Sequence, residues 1–204
     1  MEALQSLDRQ LLYLINHGLH HPWLDPLMWF FSTLGLGQVQ LALLLSGTLW
    51  RRGAHRWRSL FLPGFVAWLG SGAMVQLLKH LFPRPRPSNL PDVLVAPDER
   101  IFARSFPSGH TATAFALACW LWWLTRGTPY RWFGWLGWLL ALFVGLSRIY
   151  RGVHYPSDVL AGMAIGILWG SVAFFTLNRS KQERAGILSA CEGGQTTNED
   201  SGDR

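Results

Sequence analysis

Cysteine is scarce in this chain. Its 204 residues hold two, Cys119 inside an apolar run and Cys191 in a polar C-terminal stretch, so no disulfide framework is available to a small secreted scaffold. Charge is scarce as well: charged side chains make up 15% of the residues against 50% apolar. The apolar residues gather into several runs near about 20 residues, which a soluble domain rarely contains. Acidic residues are outnumbered 12 to 18 by basic ones, for a formal charge of +6. That excess does not indicate nucleic acid, because the basic residues sit at the ends of apolar runs, where membrane proteins keep them. A cleavable signal peptide is not evident either: Asp8, Arg9 and Asn16 interrupt the apolar positions near the N-terminus.

What is present reads as an all-α integral membrane protein. Leu4, Leu7, Leu11, Leu12, Leu14, Ile15 and Leu19 recur at helical spacing among Asp8, Arg9, Asn16 and His17. The pattern predicts an amphipathic helix lying in the membrane interface. Spanning segments are predicted over 27–50, 59–82, 107–124, 132–147 and 159–178. The expected architecture is a bundle of five transmembrane helices, or six if the first segment also crosses, plus that interfacial helix. Pro83, Pro85, Pro87, Pro91 and Pro97 forbid a regular helix across 83–106. Gly162, Gly166 and Gly170 share one helix face, as close helix packing requires. One membrane-embedded domain over 1–179 is expected, followed by a polar, disordered cytoplasmic tail over 180–204. The segment carrying Arg51, Arg52, Arg56 and Arg58 is assigned to the cytoplasmic side. Lys79, the Pro-rich stretch, His110 and His154 then fall together on the opposite face.

Three stretches carry chemistry. Arg148, His154 and Asp158 lie within eleven residues. Arg offers a planar fork of donors to phosphate, a neutral His can attack phosphorus, and an Asp four residues on can orient that His. A purely structural His–Asp hydrogen bond is the other reading, and two His with an Asp could also ligate zinc, although the surrounding cations favour an anion. In Pro107-Ser108-Gly109-His110, Pro suits the first helical position. The N–H groups of Ser108, Gly109 and His110 would then form an anion-binding helix start. An ordinary helix start with a satisfied histidine is the alternative. Lys79 and Arg86 either bind an anion or snorkel to lipid headgroups.

Together, Lys79-x6-Arg86-Pro87, Pro107-Ser108-Gly109-His110 and Ser147-Arg148-x5-His154-x3-Asp158 resemble the three-part signature of the phosphatidic acid phosphatase type 2 superfamily. The resemblance covers residues 79–158 and is closest in character to the bacterial membrane lipid phosphatases. It implies that Lys79, Arg86 and Arg148 bind phosphoryl oxygens, with Ser108 and the Gly109 amide adding hydrogen bonds. It implies His154 as nucleophile through a phosphohistidine, Asp158 as its orienter, and His110 as the acid that protonates the leaving oxygen. It implies no cofactor and no metal. The expected function is hydrolysis of a lipid phosphate or diphosphate (undecaprenyl diphosphate, phosphatidylglycerophosphate or phosphatidic acid) in the bacterial inner membrane, with the site facing outward. Arg84 and Arg104 stand as extra cations for a second phosphate, which leans the choice toward a diphosphate. A lipid phosphotransferase using the same site and a non-catalytic protein binding anionic lipids are the alternatives. The partners expected are the bilayer and the lipid substrate, without nucleic acid.

Overall fold

The computed structural model describes residues 2–49, 61–99 and 104–195, with side chains described as far as residue 177 in the last helix. Arg51, Arg52, Arg56, Arg58 and Arg100, on which the assignment of sides drew, lie outside the described residues. Among the described residues all regular structure is helical: seven α-helices and a short 3-10 turn at Pro87–Asn89.

Helix α1, Glu2–Asn16, is amphipathic as expected, but its polar positions are not all on the solvent side. Asp8, Leu12 and Asn16, four residues apart and therefore on one helix face, are buried, while Leu4, Leu7 and Leu14 are exposed. Asn16 explains the docking. Its amide donates to the carbonyls of Leu94 (2.8 Å) and Tyr150 (2.7 Å), and its Oδ1 accepts from the Leu94 N–H at 2.9 Å. The helix is thus anchored to the protein by satisfied polar groups and by Leu12, and turns Leu4, Leu7 and Leu14 outward.

The first predicted span is broken. Helix α2, Asp25–Leu34, and helix α3, Gly37–Leu49, are bent by 65° at the break between them. The break has a packing cause: a Cβ on Gly35 would lie 2.7 Å from Val144 Cγ1 and 2.9 Å from His110 Cδ2. Helix α4, Leu62–Leu81, places Lys79 in its last turn, as expected. Helix α5, Gly109–Thr125, is preceded by Ser108 in extended conformation at the N-cap. Pro107 therefore lies one residue ahead of the cap rather than at the first helical position. Helix α6, Arg131–Tyr150, is longer than the 132–147 segment expected, because Arg148, Ile149 and Tyr150 remain helical within the protein interior. Helix α7 begins at Pro156 and runs to Gln195. Its backbone thus stays helical past 178 and through the first part of the tail expected to be disordered, while 196–204 lie outside the described residues.

Helix α5 sits at the centre, touching α3, α4, α6 and α7. Ala114, Phe115 and Ala118 meet Ala141 and Val144 of α6, and Ala116 and Trp120 meet Ala67 of α4 and Ala173 of α7. The glycine stripe of α7 lies against the backbone of α5. A Cβ on Gly162 would lie 2.6 Å from the Ser108 carbonyl oxygen, and one on Gly166 would overlap the Ala112 carbonyl. This contact holds the start of α7 against the start of α5, and both starts carry site residues.

Among the described residues, two helices are long and apolar enough to cross a bilayer, Arg131–Tyr150 and Pro156–Leu177, or three if the bent α2–α3 pair is one span. Helix α5 has 17 residues, the lower edge of what crosses. Helix α4 is diluted by Gly64, Gly70, Gly72, Gln76, Lys79 and His80.

Candidate active site

The end of α6 and the start of α7 form a tight connection. Gly152 adopts φ +72°, a left-handed conformation that side-chain-bearing residues rarely take. The turn lets the Val153 and His154 N–H groups both donate to the Arg148 carbonyl, at 3.2 and 3.3 Å. The chain then enters α7 at Pro156, whose missing N–H is harmless at a first helical position. Asp158 follows in the first turn, and its Oδ2 accepts the Tyr155 N–H at 2.9 Å, the carboxylate half of a capping box. His154 and Asp158 are thereby held on one short, rigid segment.

His154 is buried, and its Nδ1 stands 3.5 Å from Asp158 Oδ2. That is long for a hydrogen bond, and Nδ1 has no closer partner among the described residues. The arrangement directs Nδ1 to the carboxylate and leaves Nε2 as the nitrogen available to the cavity. Burial, with the Arg86 and Arg148 charges, outweighs the hydrogen-bonding pull of Asp158 and lowers the His154 pKa to about 4. The imidazole is therefore neutral at physiological pH.

Asp158 is held from its other side by residues that motif reading did not assign to the site. Its Oδ1 accepts from Arg84 Nη1 at 2.8 Å, and Arg84 Nη2 donates to Asp8 Oδ2 at 2.6 Å. Asp8 also accepts from the Ser157 hydroxyl (2.6 Å) and the Ser157 N–H (2.9 Å). The Arg84 guanidinium lies 4.0 Å above the Tyr155 ring. Burial acts to lower the Arg84 pKa, but Asp8 and Asp158 outweigh it and the net shift is upward. Arg84 is therefore not an extra cation for a second phosphate. The signal that could have revealed Asp8 is its four-residue spacing with Leu12 and Asn16. Replacing Asp8 with alanine removes these charge-assisted bonds from a mostly buried site. The expected loss of stability is about 1.5–3 kcal/mol, measured by thermal denaturation in detergent; an unchanged transition would mean that α1 is held by other contacts.

A cavity of about 530 Å³ opens beside His154, bordered by Lys79, Arg86, Arg104, Gly109 and His110 among others. Lys79 and Arg104 brace each other: Lys79 Nζ donates to the Arg104 carbonyl (2.9 Å) and Arg104 Nη1 to the Lys79 carbonyl (3.2 Å). Arg86 is buried and donates to the Val153 carbonyl at 3.3 Å, beside His154. Burial, and then the nearby Arg148 charge, lower the Arg86 pKa. The Glu99 carboxylate and Asp158 offset part of that repulsion.

Three expected residues sit behind this cavity rather than at its edge. Asp158 is one. Ser108 is fully buried, its N–H donates to the Asp158 carbonyl at 3.0 Å, and its hydroxyl accepts from Thr111 at 2.9 Å. The Ser108 N–H is thus engaged in joining α5 to α7, which leaves Gly109 and His110 as the helix start facing the cavity. Arg148 is buried and held by a carboxylate: Nη1 and Nη2 donate to the two Glu99 oxygens at 2.6 and 2.9 Å, and Nη1 also bonds Ser32. Arg151 shares Glu99 (2.7 Å) and pairs with Asp98. Burial acts to raise the Glu99 pKa, but Arg148 and Arg151 prevail and lower it to about 2, so it stays ionised. Among the described residues no group of three or more His, Cys, Asp or Glu is placed to hold a metal ion.

A family model described as the PAP2 superfamily matches residues 60–182, more than half of the chain. This chain belongs to the PAP2 superfamily. It is a membrane phosphatase of that group. A Mycobacterium tuberculosis decaprenylphosphoryl-5-phosphoribose phosphatase is 35% identical over 174 residues, covering 84% of this chain and 85% of the relative. A Porphyromonas gingivalis lipid A 1-phosphatase is 40% identical over 104 residues, covering 51% of this chain but only 21% of that longer protein. The crystal structure of Aquifex aeolicus LpxE superposes with a TM-score of 0.68 at 35% identity, covering 82% of this chain and 94% of that one. Lys79, Arg86, Gly109, His110 and His154, drawn from the three motifs, line one cavity.

Proposed function

We propose that this PAP2 protein hydrolyses the phosphate of a membrane-anchored lipid through a phosphohistidine on His154. The observation that carries the proposal is the buried, neutral His154 facing a cavity edged by Lys79, Arg86 and Arg104, with Asp158 behind its Nδ1. His154 Nε2 attacks phosphorus, and the developing charge on the equatorial oxygens is met by Lys79, Arg86 and the Gly109 amide. Asp158 stabilises the imidazole as it becomes positive. His110, on the same cavity wall, protonates the leaving oxygen and then assists the attacking water. Arg148 acts from behind, as a fixed charge near Arg86 and His154.

The substrate is amphiphilic, because the cavity lies at the ends of apolar helices. Undecaprenyl diphosphate, phosphatidylglycerophosphate and phosphatidic acid all have the required form. The lean toward a diphosphate weakens, since Arg84 is engaged with Asp8 and Asp158, which leaves Arg104 as the extra cation on the cavity wall among the described residues. Five spans in a bacterial inner membrane, with this cavity on the outer face, complete the reading.

The test is phosphate release in detergent with pH. His154 must be neutral to attack, so activity is present above its pKa and is lost as pH falls through it. The acid limb of kcat/KM is expected near pH 4, well below the ordinary histidine value of about 6.5. An acid limb at about 6.5 contradicts a buried nucleophile that is neutral at physiological pH. Equal activity on water-soluble and lipid phosphates would sink the amphiphilic substrate.

A further inference from the structure

A second cavity, of about 420 Å³, lies deeper along α5 and has walls that are almost wholly apolar. The two cavities adjoin along two helices. On α5, Thr113 borders the His154 cavity and Ala114 the apolar one; on α3, Gly37 borders the His154 cavity and Gln40 the apolar one. Below that level Ala118, Leu121 and Leu124 continue the apolar wall, so the groove follows α5 for about 15 Å at 1.5 Å per residue. A lipid whose phosphate sits beside His154 would send its tail into this groove.

Gln40 is out of place there. It is 4% exposed, it lines the apolar groove, and its Oε1 has no hydrogen-bond partner among the described residues. A carboxamide oxygen left unpaired against hydrocarbon is costly. The penalty vanishes if the occupant of the groove brings a donor to that point. Gln40 lies three residues beyond Gly37, close to where the groove leaves the headgroup cavity. The donor must therefore sit near the root of the tail and not at its end.

We infer that the groove selects an acylated lipid phosphate carrying an amide N–H or a hydroxyl close to its headgroup, read by Gln40 Oε1. The inference rests on the lipid phosphatase reading of the His154 cavity and names the substrate class of that site. A polyprenyl chain has no group to offer Gln40. A diacylglycerol ester offers only acceptors. An amide-linked or hydroxylated acyl lipid offers the donor.

Three probes separate these cases: ceramide 1-phosphate, which has an amide N–H and a hydroxyl near the phosphate; dioleoyl phosphatidic acid, which has ester carbonyls only; and undecaprenyl phosphate, which has neither. The wild-type protein and Gln40→Leu are compared by kcat/KM for phosphate release, and by competition for binding read by native mass spectrometry. The wild type is expected to favour ceramide 1-phosphate over phosphatidic acid, and Gln40→Leu to reduce that preference about fivefold to tenfold, the effect of one buried hydrogen bond. A preference unchanged by the substitution overturns the inference. So does a loss confined to phosphatidic acid, which would mean that Gln40 donates to an ester carbonyl, and so does a wild type that favours undecaprenyl phosphate. If the wild type releases phosphate from no ester, the phosphatase reading fails, and the binding competition still decides the role of Gln40.

Discussion

Replacing His154 with alanine is expected to reduce phosphate release by about 10⁴-fold or more, the scale seen when a covalent nucleophile is removed. The expectation follows from how little else in the cavity can attack phosphorus. Arg86 and Arg104 carry guanidinium groups, which have no acceptor atom, and the Lys79 ammonium is already engaged with the Arg104 carbonyl, so all three serve to bind oxygen. His110 stands at the start of α5, pressed against the Gly35 bend, and serves as the acid. The loss should appear in kcat, with lipid binding retained, because the phosphate-binding cations stay in place. His154→Ala should also keep its fold, since His154 Nδ1 makes no short hydrogen bond among the described residues. Steady-state assays beside a thermal melt test this. Substantial residual turnover would move the chemistry to a water-based mechanism in which His154 only positions the phosphate.

The second large effect is expected at Arg148. Its guanidinium is 3% exposed and doubly bonded to Glu99, whose carboxylate also meets Arg151. Removing one partner of a buried pair leaves the other charge poorly compensated, which typically costs about 3–5 kcal/mol. Arg151 still reaches Glu99, so about 3 kcal/mol is expected for Arg148→Ala. That is a large part of the 5–15 kcal/mol that is typical of whole domains. A paired Arg148→Ala/Glu99→Ala variant should be less destabilised than the sum of the single changes. Denaturation in detergent measures all three, and simple additivity would show that the pair is not coupled. Arg148→Lys should not restore the wild-type level, since an ammonium cannot reproduce the two-pronged contact.

The difference between these two residues shows what the sequence could reveal. Motif spacing identified His154 and Asp158 as partners because both lie on one short turn-and-helix segment, where spacing determines geometry. It identified Lys79, Arg86 and His110 as neighbours because helix ends on one membrane face converge. It could not reveal that Arg148 turns toward Glu99 and away from the cavity, since Glu99 lies in an irregular, Pro-rich segment with no period to read. Nor could it show that Arg84 ties Asp158 to Asp8, a contact between residues 76 and 74 positions apart on either side of the guanidinium. The helical character of the chain was legible from its apolar runs. The 65° break between α2 and α3 was not, because it arises from Gly35 packing against Val144 and His110, and hydropathy carries no trace of tertiary contact.

The most direct measurement is a search for phosphate on the protein. Lipid phosphate is mixed with enzyme, the reaction is quenched within its first turnovers under alkaline conditions that preserve phosphohistidine, and peptides are read by mass spectrometry. A phosphoryl group on His154, absent from His154→Ala and accumulating when His110→Ala slows its hydrolysis, is the predicted result. Phosphate release at full rate with His154 never phosphorylated, or a phosphoryl group on a different side chain, would contradict the account.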